Sequence, residues 1–259
     1  MKVDLHNHTT RCNHAEGSEE EYLQAAIKAG TSIFGFSDHA PMDFDQKYRM
    51  SFAQMSDYEA TVKELQKRYA GKIEVLLGYE VDYLPGHMDK HVLEADVDYL
   101  IGSVHFLDKW GFDNPEFIKE YEEKNIDDIW QKYFQSIAEM AETKLFDIVG
   151  HIDLIKVFKF MPTKDIMTFA MPALEAIKKA DMTIEINTAG YRKPCAQPYP
   201  SKEILQKAYE LEIPITFGSD AHAPAQVAFH SNEAEALAKE VGYTECALYR
   251  NRKREMLPI

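Results

Sequence analysis

Hydrophobic positions along the chain form short runs that alternate with longer amphipathic segments. Apolar or β-branched runs occur near residues 2–8, 31–38, 73–82, 97–106, 146–152, 182–187 and 213–219. After each run, apolar residues recur at helical spacing, near residues 18–29, 55–70, 86–95, 125–143, 164–180, 201–210 and 223–240. The pattern therefore predicts seven strands, each followed by a helix.

Several predicted helices carry sequence signals at their ends. Ser18, followed three residues later by Glu21, predicts a capping box, and Gly30 predicts a helix stop. The side chains of three further residues are predicted to cap later helices at their N-termini: Asn125, Thr163 and Ser201.

Seven strand–helix units predict an α/β fold of parallel strands joined by right-handed crossovers. A closed barrel and an open doubly wound sheet both satisfy this pattern. No G-x-G-x-x-G sequence follows the first strand, so the dinucleotide-binding form of the open sheet lacks its signature. We expect residues 1–259 to form a single domain.

The ends of the predicted strands carry the candidate chemistry. Six of the seven strands end in potential metal ligands, which are His6 and His8, Asp38 and His39, Glu80, His105, His151, and Asp220 and His222. In a β/α barrel the carboxyl ends of all strands meet at one face, where active sites form. The regularity favours the barrel and predicts a metal site at the C-terminal ends of its strands.

The residue types indicate which metals would bind. In His6-x-His8 and Asp220-x-His222 the paired residues are two apart, so both point to the same side of an extended chain. Mixed imidazole and carboxylate ligands suit Zn, Mn or Fe better than Ca or Mg. Glu80, which arrives between histidines, could bridge two ions. A lone histidine at a strand end is more often structural, but seven of the ten histidines here lie at strand ends or in the loops that follow.

Composition narrows the classes of partner. The formal net charge is −14, and no basic run is longer than residues 252–254, which argues against a nucleic-acid ligand. No stretch approaches the ~18 apolar residues of a membrane-spanning helix. Three unpaired-looking cysteines and a charged N-terminus predict a cytoplasmic protein. Sequence motifs for a serine or cysteine nucleophile are absent.

Taken in order, the strand-end residues and His14 resemble the PHP (polymerase and histidinol phosphatase) family over essentially the whole chain. The loops are most similar to those of the stand-alone histidinol-phosphate phosphatases, through Arg11–Gly17, Phe36–Met42, Gly78–Tyr83, Asp147–Ile155 and Glu185–Pro194. The resemblance implies a distorted (β/α)7 barrel and two to three divalent transition metals. It also implies that nine residues are ligands: His6, His8, Glu80 and Asp220 for a first ion, Glu80, His105 and His151 for a second, and His14, His39 and His222 for a third.

The activity implied by the resemblance is hydrolysis of L-histidinol phosphate to L-histidinol and phosphate, a step of histidine biosynthesis. Such ions neutralise phosphoryl oxygens and yield hydroxide from bound water at neutral pH, so Glu80 and Asp220 would act in catalysis through the metal. Arg192 is the predicted phosphate-binding residue, with Lys156 as the weaker candidate. The residue that holds the substrate ammonium stays open among Glu16, Asp43 and Asp153.

Two alternatives remain at this point. A PHP-family phosphoesterase could act on a nucleotide, phosphotyrosine or a sugar phosphate, and the barrel could be a non-catalytic, metal-stabilised module. A complete ligand set favours an enzyme. The sequence leaves the oligomeric state and the general acid for the leaving group open.

Overall fold

The computed structural model describes residues 2–259 and is built around one sheet of seven parallel strands. The strands are β1 (Val3–Asp4), β2 (Ile33–His39), β3 (Glu74–Asp82), β4 (Tyr99–Ser103), β7 (Ile148–Val149), β8 (Thr183–Asn187) and β9 (Ile215–Gly218). Their order in the sheet is the order along the chain, and every pairing is parallel. This is the arrangement expected from seven successive right-handed βα units.

Backbone hydrogen bonds join the first and last strands. The amide of Leu5 donates to Phe217 at 2.9 Å, and the amide of Asp220 donates to the carbonyl of His6 at 2.7 Å. The sheet is therefore a nearly closed barrel, and the predicted fold class is confirmed.

Within residues 2–259 the structure also contains seven α-helices and two short hairpins. The helices are α1 (Glu19–Ala29), α2 (Met55–Arg68), α3 (Lys90–Leu93), α4 (Ile126–Thr143), α5 (Ile166–Ala180), α6 (Lys202–Glu210) and α7 (Ser231–Val241). The hairpins are β5 (Phe106–Leu107) with β6 (Trp110–Gly111), and β10 (Glu245–Arg250) with β11 (Lys253–Pro258). The sequence pattern missed both hairpins and the 3-10 helix at Pro115–Glu123.

The capping box of Ser18 and Glu21, the left-handed stop at Gly30 and the Asn125 cap are confirmed. Ser201 occupies the N-cap position of α6 without a side-chain cap bond. The prediction for Thr163 was wrong. Asp165 caps α5, because the Thr163 hydroxyl donates to Asp127 of α4 instead, at 2.6 Å.

Two predicted helices are shorter than expected. The segment 86–95 is helical only at α3, and α7 starts at Ser231 because Ala228 and His230 adopt left-handed backbone angles after the 3-10 turn at Pro224–Gln226. The result is a loop of non-helical backbone on the side of the barrel where β9 ends.

Tyr99 packs inside the barrel below the strand ends. A Cβ added at Gly78 would lie 2.5 Å from its ring, and one at Gly35 would lie 2.0 Å from its hydroxyl oxygen. The hydroxyl donates to the carbonyl of Leu5 at 2.6 Å, which ties β4 to the segment that follows β1. Because side chains alternate along a strand, Gly78 and Glu80 share one face, so the Tyr99 ring packs on the face of β3 that carries Glu80.

Candidate metal centre

The nine predicted ligands gather at the carboxyl ends of the barrel strands, around one cleft of about 550 Å³. Seven of them line the cleft, and Arg192 lines it as well. The other two, His6 and His8, are fully buried beside it. The structure thus brings together side chains that are up to 216 residues apart in sequence.

The possible ligand atoms fall into four groups, within each of which the atoms lie within 4.8 Å of one another. Three of them form neighbouring sets of histidine and carboxylate: His6, His8 and Glu80; Glu80, His105 and His151; and His14, His39 and His222. The fourth combines His8 and His222 with the thiol of Cys12. Asp220 joins the first set, because its Oδ1 lies 3.1 Å from Nε2 of His8. The three sets are the groupings implied by the family resemblance, and the geometry permits three adjacent ions.

Glu80 lies where the first two sets meet, and its two oxygens face different histidines. Its Oε2 lies 3.3 Å from Nε2 of His6, whereas Oε1 accepts from Nε2 of His151 at 2.9 Å and from Ser103 at 2.7 Å. The carboxylate is 1% exposed. A carboxylate in this position can contact two cations at once, one through each oxygen.

Several buried polar atoms of the cluster have no hydrogen-bond partner among residues 2–259. They are Nε2 of His6, Nε2 of His222, and Nδ1 of His39 with Oε2 of Glu80, which face each other at 2.9 Å without hydrogen-bond geometry. Buried polar atoms without partners are costly, and a cation among them would remove that cost. The donor set therefore fits divalent metal ions.

Electrostatics in the first two sets also favour cations. Burial opposes the charged ring of His6, yet Glu185 and Glu80 raise its pKa well above the usual value. The pKa of His8 rises to about 9 against the same burial, through its hydrogen bonds to Asp220 and Asp38. Burial works against the charge of Glu80 too, but the ring of His6 holds its pKa well below the usual range. Protons on the rings of His6 and His8 compensate the carboxylates, and a divalent ion would displace them.

The third set behaves differently because no carboxylate belongs to it. Burial lowers the pKa of His39 to about 4 and also lowers the pKa values of His14 and His222. These rings are neutral at pH 7, which is the form that binds a metal.

Carboxylates behind the histidines fix the orientation of the rings, and the sequence analysis assigned this supporting role to none of them, although it named Asp38 as a potential ligand. Nδ1 of His6 lies 2.7 Å from Glu185, and Nδ1 of His105 lies 2.6 Å from Asp82. Nδ1 of His8 lies 3.3 Å from Asp38. Such contacts select the ring tautomer and strengthen the other nitrogen as a ligand.

For one of these carboxylates, that of Glu185, the sequence did contain a signal. Glu185 lies in the middle of the sixth barrel strand, the one strand to which no ligand was assigned, and it also accepts from the amide of His151 at 2.9 Å. Gly218 makes room for it, because a Cβ there would lie 1.9 Å from Oε1 of Glu185. The sixth strand thus contributes to the site from behind two predicted ligands.

Two predicted ligands are held in strained backbone conformations. Asp220 has φ of 50° and His151 has φ of 22°, and both values lie in the left-handed region that non-glycine residues rarely adopt. The strain persists because the surrounding hydrogen bonds fix both residues, and such outliers concentrate at functional sites.

Of the two predicted phosphate-binding cations, the structure favours Arg192. Its Nη2 donates to the carbonyls of Ser219 and Asp220 at 3.0 and 2.8 Å, while its buried Nη1 has no partner within the described part of the chain. Lys156 is 3% exposed, and its ammonium group donates to Asp153 and to the carbonyl of Pro198, both at 2.7 Å. The ammonium group of Lys156 is therefore held by protein groups and is not available to bind phosphate.

None of the three acidic residues considered for the substrate ammonium lines the cleft. Asp153 is buried against Lys156, Asp43 is an exposed partner of His87 at 2.7 Å, and Glu16 is exposed.

Burial raises the pKa of Cys12, so the thiol is protonated, and it donates to the carbonyl of Thr9 at 3.1 Å. It is thus a packed thiol beside His8 and His222.

Comparisons with known proteins place this site in a family. The model of the PHP domain matches residues 4–189. The chain belongs to the PHP domain family. It is 39% identical over 257 residues to the probable histidinol-phosphatase of Deinococcus radiodurans, covering 97% of this chain and 98% of that protein. It is also 29% identical to the histidinol-phosphatase of Bacillus subtilis, covering 88% of this chain and 96% of that protein.

Solved structures of similar fold include two proteins of this kind. A candidate histidinol phosphatase from Listeria monocytogenes superposes with a TM-score of 0.81 at 26% identity, over 89% of this chain and 99% of that one. A histidinol phosphate phosphatase from Lactococcus lactis, complexed with zinc, L-histidinol and phosphate, gives a TM-score of 0.79 at 21% identity over 98% of both chains. The second likeness shows the fold alone. The predicted family is confirmed.

We predict that Glu185→Gln weakens metal binding at the first two sets about tenfold to a hundredfold, because it removes the charge behind His6. Calorimetric titration of the metal-free protein with Zn²⁺ measures this effect. Glu203→Gln, an exposed change on the first turn of α6, is the matched control and should bind as the wild type does. Unchanged affinity in Glu185→Gln would show that Glu185 has no part in orienting the ligands.

Proposed function

We infer that the protein is a metal-dependent phosphoric monoester hydrolase whose substrate is L-histidinol phosphate. The observation that carries the inference is the meeting of three ligand sets at one cleft, two of which share Glu80. The histidinol-phosphatases among its relatives match nearly the whole length of the chain. The products are L-histidinol and phosphate, which implies a role in histidine biosynthesis.

We propose that two to three Zn, Mn or Fe ions bind in the cleft, with the nine residues named above as ligands. When bound, the ions would neutralise charge on the phosphoryl oxygens and lower the pKa of a coordinated water. The buried polar atoms of His6, His39, His222 and Glu80 that make no hydrogen bond support this proposal.

The residues of the chain would orient the reaction. Glu185, Asp82 and Asp38 hold the imidazole rings by their Nδ1 atoms. Arg192 would hold the phosphate through Nη1, since Nη2 is fixed by two backbone carbonyls beside Asp220. An arginine anchored in this way binds an anion with little loss of side-chain entropy. In-line attack requires this kind of fixed placement.

The remaining predictions are retained as proposals. We propose a single domain over residues 1–259, in a cytoplasmic protein that takes a small phosphate monoester and no nucleic acid. The span of the barrel from β1 to β9 supports the first of these. Among the described residues, no helix is long and apolar enough to cross a membrane.

The substrate assignment is tested by a panel of phosphate esters. We predict that kcat/KM for L-histidinol phosphate exceeds that for a nucleotide, phosphotyrosine, a sugar phosphate and an aryl phosphate by at least about a hundredfold, because oriented polar contacts discriminate strongly. Phosphate release measures each value. Equal rates on all esters would overturn the substrate assignment and leave a general phosphoesterase.

A second prediction concerns Arg192. Arg192→Ala should lower kcat/KM for every ester of the panel by a similar factor, about tenfold to a hundredfold, because the lost contact is to the shared phosphate. Arg68→Ala, which removes an exposed arginine paired with Glu20, is the control. A loss confined to one ester would place Arg192 against the leaving group instead.

A further inference from the structure

One carboxylate that lines the cleft has no side-chain partner among residues 2–259, although its own backbone amide donates to it. Of the acidic residues that line it, Glu80 and Asp220 belong to the ligand sets, while Asp82 and Asp45 face the guanidinium group of Arg49 at 2.9 and 3.4 Å. Asp113 also lines the cleft, and no side chain within residues 2–259 makes a hydrogen bond or ion pair with its carboxylate. A partly buried carboxylate that lacks a direct ion-pair partner is costly to the folded protein.

Asp113 lies on the side of the cleft formed by the β5–β6 hairpin. It lies two residues after Gly111 of β6 and two residues before Pro115, where the 3-10 helix at Pro115–Glu123 begins. Burial raises the pKa of Asp113, and His105, Lys193 and His151 oppose this effect. All three line the cleft together with Asp113, and two of them are predicted ligands of the second set.

An exposed aromatic ring lies on the same segment. Phe117 lines the cleft, yet it is 44% exposed, which is high for a phenylalanine. Phe106 lines the cleft beside it, and a Cβ at Gly111 would lie 3.4 Å from the ring of Phe106 and 3.8 Å from that of Phe117. This side of the cleft therefore presents the carboxylate of Asp113 next to the apolar rings of Phe106 and Phe117.

The proposed substrate carries complementary groups. L-histidinol phosphate has an ammonium group on the carbon next to the phosphate-bearing carbon, and an aromatic imidazole beyond it. With the phosphate at the ions and at Arg192, the rest of the molecule needs an anion and an apolar surface nearby. Resting on the function proposed above, we propose that Asp113 binds the substrate ammonium group and that Phe117 packs against the imidazole. This side of the cleft would then select an aminoalkyl phosphate among phosphate esters.

The test compares two substrates that differ only in the ammonium group: L-histidinol phosphate and its deamino analogue, imidazolylpropyl phosphate. We expect the wild type to prefer the first by about tenfold to a hundredfold in kcat/KM, as for a charge-assisted hydrogen bond. Asp113→Asn and Asp113→Ser should each bring this ratio close to one. Phe117→Ala should lower kcat/KM for both esters and keep the ratio, because both carry the ring.

Asp108→Asn is the matched control. Asp108 lies in the turn of the same hairpin, is 86% exposed and pairs with Lys132, so its removal should leave the ratio at the wild-type value. A second measurement does not depend on turnover. The inhibition constant of L-histidinol should rise in Asp113→Asn by the same factor by which the substrate ratio falls.

The thermal midpoint of the substrate-free enzyme separates recognition from structural support. Removal of an unpaired carboxylate should leave the midpoint of Asp113→Asn unchanged or raise it. A wild-type ratio in both Asp113 variants would overturn the proposal, as would a lowered midpoint together with an unchanged ratio. If the wild type hydrolyses all esters of the panel equally, the proposed function fails. If it prefers L-histidinol phosphate and only the Asp113 variants behave as wild type, this inference alone fails.

Discussion

The structure depends most on one buried carboxylate, that of Glu80, and the imidazole rings around it. It is 1% exposed, and ring nitrogens of His39 and His151 each lie 2.9 Å from it. These rings come from different strands, so the distances between them are set by closure of the barrel. Charges and lone pairs at this density are stable only with cations among them, which ties the fold to metal binding.

The barrel fixes the positions of the predicted ligands through side chains that pack beneath and behind them. Tyr99 packs on the glycines of β2 and β3 beneath the site, and Glu185 enters through the space that Gly218 leaves. The carboxylates behind the rings of His6, His8 and His105 come from β8, β2 and β3. These three predicted ligands are therefore fixed from behind by carboxylates of other strands.

The sequence predicted the barrel and the ligand cluster well because both follow from simple periodic rules. Strands of apolar residues that each end in histidine or carboxylate can meet only at one face of a parallel barrel. The supporting residues were harder to predict. Glu185 resembles any acidic residue within a strand, and its role depends on a 2.7 Å contact with His6 across 179 positions.

The substrate side of the cleft was the least predictable part. Asp153 and Asp43 seemed suitable from their loop positions, but their pairing with Lys156 and His87 depends on tertiary contacts. Asp113 follows a hairpin that has no strong periodic signal, because the strands of the hairpin are two residues long. Which carboxylate remains free is a property of the packed structure and cannot be read from spacing.

The central claim is that Glu80 joins two ions within one catalytic centre. The most direct test measures bound metal in folded, purified Glu80→Gln against the wild type by elemental analysis, with phosphate release from L-histidinol phosphate measured on the same samples. We predict two to three equivalents of metal in the wild type, and the loss of at least one equivalent and of nearly all activity in Glu80→Gln. A Glu80→Gln protein that keeps the wild-type metal content and full activity would contradict this account.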